Sequence, residues 1–206
     1  MAAPLTGHRT TAAEGAETRA QLIAVARGLF AENGHAGVST VEICDYAGVT
    51  RGALYHHFPG KDALFEAVCE QVADEVSAHV VAAANEGRDT DTWARVRNGC
   101  HAFIDACTGE DVRQILLTDA PSVLGWVEFR KLDRRHALGL LEVAIAHAMD
   151  EGTVPRGDAK VLAHVLVAAL NEASLVVGQA DDPDATRRSA IFAIDRLLDG
   201  IGGSGS

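Results

Sequence analysis

Apolar residues recur every three to four positions along nearly the whole 206-residue chain, and nowhere do they alternate. That period belongs to helices with one buried face; strands would show every second side chain to a core. Leu22, Ile23, Val25, Ala26, Leu29 and Phe30 form the first stripe, which Asn33-Gly34 should end. Leu64, Phe65, Val68, Val72, Val76 and Val80 form a long second one after Pro59-Gly60. Beyond Gly87 the pattern predicts helices near 91–107, 110–119, 121–150, 158–179 and 184–199. Gly109, Pro121, Gly152-Thr153-Val154-Pro155 and Asp181-Asp182-Pro183 supply the breaks between them. The expected fold class is all-α.

Two short helices are expected between those stripes. Ser39-Thr40-Val41-Glu42 is a capping-box signature, in which the serine hydroxyl and the glutamate each satisfy a backbone amide of the other. The helix it opens runs through Cys44 to Ala47, and Gly48 supplies a tight turn. Thr50 can cap the next helix, which runs to Pro59. Two short helices joined by a glycine turn inside a three-helix bundle make a helix-turn-helix. Its second helix enters a major groove N-terminus first, so Thr50, Arg51, Gly52 and Ala53 would meet base edges. Arg51 can pair bidentately with guanine, and the small residues at 52 and 53 permit close approach. Tyr55, His56 and His57 then lie where their hydroxyl and imidazole groups can donate to phosphate, with Lys61 at the start of the following helix.

The formal charge of −11 argues against indiscriminate coating of nucleic acid or anionic membrane, but it is unevenly placed. Residues 1–62 carry five basic and six acidic side chains, whereas the remainder carries 13 and 23. The N-terminal third is therefore free to meet a polyanion. The first residues hold no apolar core of signal-peptide length, and a cytoplasmic protein is expected. VLAHVLVAALNEASLVV (161–177) is interrupted by His164, Asn171 and Glu172, which favours a buried helix over a membrane span. Cys44, Cys69, Cys100 and Cys107 form no CxxC pair and read as reduced thiols, with Cys100 and Cys107 expected to be buried. The nine histidines show no close ligand spacing, so no metal site is expected. No nucleophile elbow, phosphate loop or dinucleotide fingerprint is present, and neither an enzyme nor a cofactor is expected.

Residues 17–65 resemble the DNA-binding domain of the TetR family of bacterial transcriptional regulators. The resemblance rests on Phe30…Gly34, Ser39-Thr40-Val41, Ala47-Gly48-Val49-Thr50, Gly52, Leu54-Tyr55, His57-Phe58, Lys61 and Leu64, at fixed spacings. It implies a homodimer reading a palindromic operator on double-stranded DNA. It implies DNA contacts at Thr40, Thr50, Arg51, Gly52, Tyr55, His56, His57 and Lys61, with Leu54 and Phe58 in the core. The expected organisation is a flexible arm at 1–16, a helix-turn-helix domain at 17–62, an effector-binding and dimerisation bundle at 63–201, and a flexible tail at 202–206.

For the bundle, the resemblance implies a dimer interface and a small-molecule effector pocket. Residues 161–178 are apolar on nearly all sides and need covering. Val161, Val165, Ala169, Leu175, Ile191, Ile194 and Leu198 are the candidate interface, with an intrachain core as the alternative. Trp93, Phe103, Leu116, Trp126 and Phe129 are candidate pocket walls, with His101, Arg130 and His136 as polar handles. Thr118 to Trp126 (TDAPSVLGW) resembles a stretch in a subset of these regulators. The leading expectation is a repressor released by its effector. An activator or ligand-independent regulator, or an all-α enzyme or carrier, stands as the alternative.

Overall fold

The computed structural model describes residues 7–86 and 91–202; the outermost residues of the expected arm (1–6) and most of the expected tail (203–206) lie outside them. Among the described residues every element is helical. Four helices build the N-terminal part: α1 (Gly7–Gly37), α2 (Thr40–Ala47), α3 (Arg51–His57) and α4 (Lys61–Ala84). After α5 (Thr92–Cys107) comes a helical segment in three parts. These are α6 (Glu110–Val112), a π-helical stretch (Arg113–Asp119) and α7 (Ala120–Val123). The bundle is completed by α8 (Gly125–Arg135), α9 (Ala137–Glu151), α10 (Ala159–Gly178) and α11 (Pro183–Gly202).

Two expected boundaries need correction. The arm assigned to 1–16 is helical from Gly7, because Ala12, Ala13, Glu14 and Ala16 are strong helix formers that simply extend α1. The single helix expected over 121–150 is broken twice, at Gly125 (φ 73°) and at His136 (φ −115°, ψ −110°). Apolar periodicity runs through both breaks, since each helix still turns a face to the same core.

The stop expected at Asn33-Gly34 is real. Gly34 takes φ 68°, a left-handed conformation that costs other residues, and kinks α1 before its last residues. The Asp119 carboxylate accepts the His35 amide freed by that kink, at 2.7 Å. It thereby ties the end of α1 to the π-helical stretch. Nearby, Arg27 bonds Glu75 of α4 at 2.6 Å and Asp111 of α6 at 2.9 Å.

There are two cores. The first holds Leu22, Phe30, Ile43, Leu54, Phe58, Leu64 and Phe65, and continues along α4 to Ala73. It also takes in Ile115, Ala120, Phe129 and Leu132, so the three-helix unit is seated on α7 and α8 as well as on α4. The second gathers Val76, Trp93, Phe103, Ile104, Leu138, Ile145, Leu166 and Leu198. The helix α4 therefore serves both cores. By length and composition α10 could cross a membrane, but one of its faces packs in the second core through Ala163, Leu166, Val167 and Leu170.

Candidate nucleic-acid interface and bundle cavity

The capping box forms as read: Glu42 N–H donates to Ser39 Oγ at 3.2 Å, and Ser39 N–H to Glu42 Oε2 at 2.9 Å. Bonds from the Ser39 backbone and hydroxyl hold the Glu42 carboxyl below its ordinary range. Gly48 closes α2 with φ 64°, ψ 28°, and its neighbour Val49 donates back to Cys44 O at 3.0 Å. That left-handed turn sets the angle between α2 and α3. Thr50 then caps α3 by accepting the Ala53 amide at 3.2 Å.

The short helix α3 is two-sided. Leu54 and the following Phe58 are buried in the first core, so the opposite side must face out. Thr50, Arg51, Gly52 and His56 are exposed on it, Ala53 and His57 are half-buried, and Tyr55 is 47% exposed. Thr40 of α2 and Arg51 stand near the Tyr55 hydroxyl, and their polar groups draw the phenol below its ordinary pKa. The His56 and His57 rings meet edge to face, with centroids 5.2 Å apart. These candidates therefore share one continuous polar surface.

Lys61 departs from expectation. Its ammonium donates to His35 O at 2.7 Å and Val38 O at 2.9 Å, capping the frayed end of α1. This structural role was not read from the sequence; it uses two of the three N–H donors of the ammonium. Gly60 offers α4 no side-chain cap, so the backbone amides of its first turn keep their capacity for an acceptor. Sequence reasoning also missed Arg19 of α1, which sits over the Phe58 ring at 5.1 Å and adds positive charge beside α3. Its only signal was its place on the solvent side of the first stripe.

In the bundle, the pocket candidates disperse. Only Phe103 lines a cavity of about 350 Å³ between α4, α5, α9 and α10. Leu116, Phe129 and His136 line a separate void of about 40 Å³, which Phe103 also borders. Trp93 is buried and donates its indole N–H to Leu198 O at 3.2 Å, pinning α5 to α11. His101 lies 2.8 Å from Asp195. Trp126 is 69% exposed with Arg130 over its ring at 4.9 Å, and so walls no pocket. The walls missed by sequence reading, such as Val80, Leu140 and Ala144, are small aliphatic residues indistinguishable in sequence from core.

The interface candidates divide too. Ile194 and Leu198 belong to the second core, and Ala169, Leu175 and Ile191 are half-buried. On α11 the 191–194–198 spacing points inward, which leaves Phe192 (69% exposed) and Leu197 outside. On α10, Val161, Val165 (59% exposed) and Val176 form the outward stripe. All four cysteines are buried and unbridged. Burial pushes the Cys100 and Cys107 thiols up to about 12, the opposite of a reactive thiolate.

Comparison with known proteins places this geometry. Residues 22–68 match the family of bacterial regulatory proteins of the tetR family, and residues 93–201 match the tetracyclin repressor-like C-terminal domain. The chain is similar to the Tn10 TetC protein of Escherichia coli, at 27% identity over 149 residues, 72% of this chain and 74% of that one. It is 45% identical over 60 residues to the HTH-type transcriptional repressor BepR of Brucella suis, a match spanning only 29% of either chain. A solved TetR-family transcriptional regulator from Pectobacterium atrosepticum superposes with a TM-score of 0.76 at 32% identity, covering 92% of this chain and 96% of that one. With both halves matched and the helix-turn-helix formed, the chain belongs to the TetR family of DNA-binding transcriptional regulators.

Proposed function

We propose that the protein acts as a homodimeric repressor that leaves a palindromic operator when a small molecule occupies its bundle. The observation that carries this reading is the two-sided α3, whose inward Leu54 and adjoining Phe58 hold the polar surface of Thr40, Arg51 and Tyr55 outward. Thr50, Arg51, Gly52 and Ala53 meet base edges, while Thr40, Tyr55, His56, His57 and the amides opening α4 hold phosphates. The exposed apolar stripes of α10 and α11 supply the face on which a second copy closes a two-fold bundle. Such a pair sets its two α3 helices about one DNA turn apart, roughly 34–36 Å.

The effector site is the cavity against α4, whose other end carries Lys61 and its bonds to the α1 terminus. A ligand releases DNA only by binding the released arrangement more tightly than the DNA-bound one. Footprinting on DNA flanking the protein's own gene tests the reading. A discrete two-fold protected site is expected; binding that tracks DNA length with no preferred site would end it.

A further inference from the structure

The cavity of about 350 Å³ has two unlike ends. Because α5 returns along α4, Asn85, Thr92 and Arg95 cluster at one end, near His147 of α9. Ser77, Phe103 and Ala137 lie at the other. From Ser77 to Asn85 is eight helical residues, roughly 12 Å along α4. The walls between are aliphatic, and no carboxylate lines the cavity among the described residues.

At the inner end, the Ser77 hydroxyl is buried and has no hydrogen-bond partner among the described residues. A buried helical serine ordinarily returns its hydroxyl to the carbonyl four residues back, as Ser174 does to Leu170 O at 2.9 Å. Ser77 instead stands between this cavity and the smaller void beside it, with its bonding capacity unused. At the outer end, Arg95 donates to Ala84 O at 3.3 Å and to the Asn85 side-chain oxygen. Both acceptors are neutral, and no carboxylate among the described residues pairs with it. A guanidinium has five N–H donors, so three of them remain for a ligand.

We propose that this cavity takes an elongated, mainly aliphatic molecule, with an anionic head at Arg95 and a hydroxyl or carbonyl at its far end against Ser77. The proposal rests on the reading of the bundle as the small-molecule domain. Carbon–carbon bonds of about 1.5 Å laid in a zigzag let roughly ten carbons span the distance. Glu151 stands behind the outer end, but its carboxylate is engaged by Thr92 at 2.8 Å and His147 at 3.8 Å, which leaves Arg95 as the charge offered to a ligand.

The test is calorimetric titration of the full-length protein with decanoate, 10-hydroxydecanoate and decylamine. The hydroxy acid should bind about tenfold more tightly than decanoate, since it alone satisfies Ser77, and decylamine should not bind. Ser77→Ala should erase the tenfold preference while leaving decanoate affinity in place, and Arg95→Gln should weaken both acids. Ala144→Phe, which fills the cavity, should abolish binding. Failure of both acids to bind, a hydroxy-acid preference that survives Ser77→Ala, or decylamine binding as tightly as the acids overturns the proposal. Release of operator DNA is measured separately. Acids that bind without releasing DNA uphold this assignment and defeat the effector reading, whereas release by other compounds with no acid binding defeats this assignment alone.

Discussion

Arg51 and Lys61 stand ten positions apart in the same motif and do opposite work. Arg51 is exposed at the open end of α3 beside Tyr55, so Arg51→Ala should cost about 1–3 kcal/mol of specific binding and relax preference at one base pair. Fluorescence anisotropy on the protected site and its single-base variants checks this. Lys61 has turned inward to two carbonyls at the end of α1. Lys61→Met keeps the aliphatic stem and removes the donor, and should lower folding stability by about 1–3 kcal/mol. With Lys61 acting on those carbonyls, the slope of binding against salt should stay unchanged. Denaturant unfolding beside a salt titration reads both outcomes, and a slope reduced by about one at undiminished stability would restore Lys61 to the DNA. The sequence could show that position 61 opens a helix, but its partner is set by where α1 ends in space.

Helix caps and turns were legible because their chemistry is local. Ser39 with Glu42, Gly48, and Thr50 with Ala53 bond within five residues, so spacing determines them. The breaks at Gly125 and His136 were not legible, since a lone glycine or histidine inside an unbroken apolar period does not by itself mark a helix end. The same holds for the clasp between α5 and α11, where Arg97 meets Asp195 at 2.7 Å and Asp199 at 2.6 Å, and His101 meets Asp195 at 2.8 Å. Burial raises the Asp195 carboxyl, but its bonds to Arg97 and His101 outweigh that and hold it below its ordinary value. A depressed folded-state pKa gives stability that is present above the unfolded value, near 3.8, and lost as pH falls through the folded one. Asp195→Asn should therefore cost about 1–2 kcal/mol at pH 7 and progressively less below about pH 4. Urea midpoints of both proteins at pH 7 and pH 3 check this, and a gap that widens in acid would contradict the sign.

At the scale of the molecule, the two cores share α4, and the outward stripes on α10 and α11 remain uncovered by the described residues. Val165→Glu combined with Phe192→Glu places a charge on each stripe without touching the second core. Light scattering should show the mass falling from twice the 21.7 kDa of the chain to that of a single copy. Operator affinity should fall with it, because one α3 reads only half a site. Unaltered dimers in this double variant would place the interface elsewhere. The periodicity that revealed α10 and α11 could not separate core from interface, because one apolar stripe looks like another until the fold uses one up. Ile194 and Leu198 went inward and Phe192 and Leu197 did not.

The stretch GVTRGALYHHFPGKDALF needed no fold to be read as a recognition helix between a glycine turn and a long helix. Its information is local: caps, a left-handed glycine and a helical period each act over a few residues. What only the tertiary structure decided was the use of side chains whose partners are distant in sequence. Lys61 closed α1, Trp93 became a pin to Leu198, and Trp126 stayed in solvent. The cavity was assembled from aliphatic residues of α4, α5, α9 and α10 that no pattern marks. A cavity is a place where packing stops, and that is a property of several helices together rather than of any one segment.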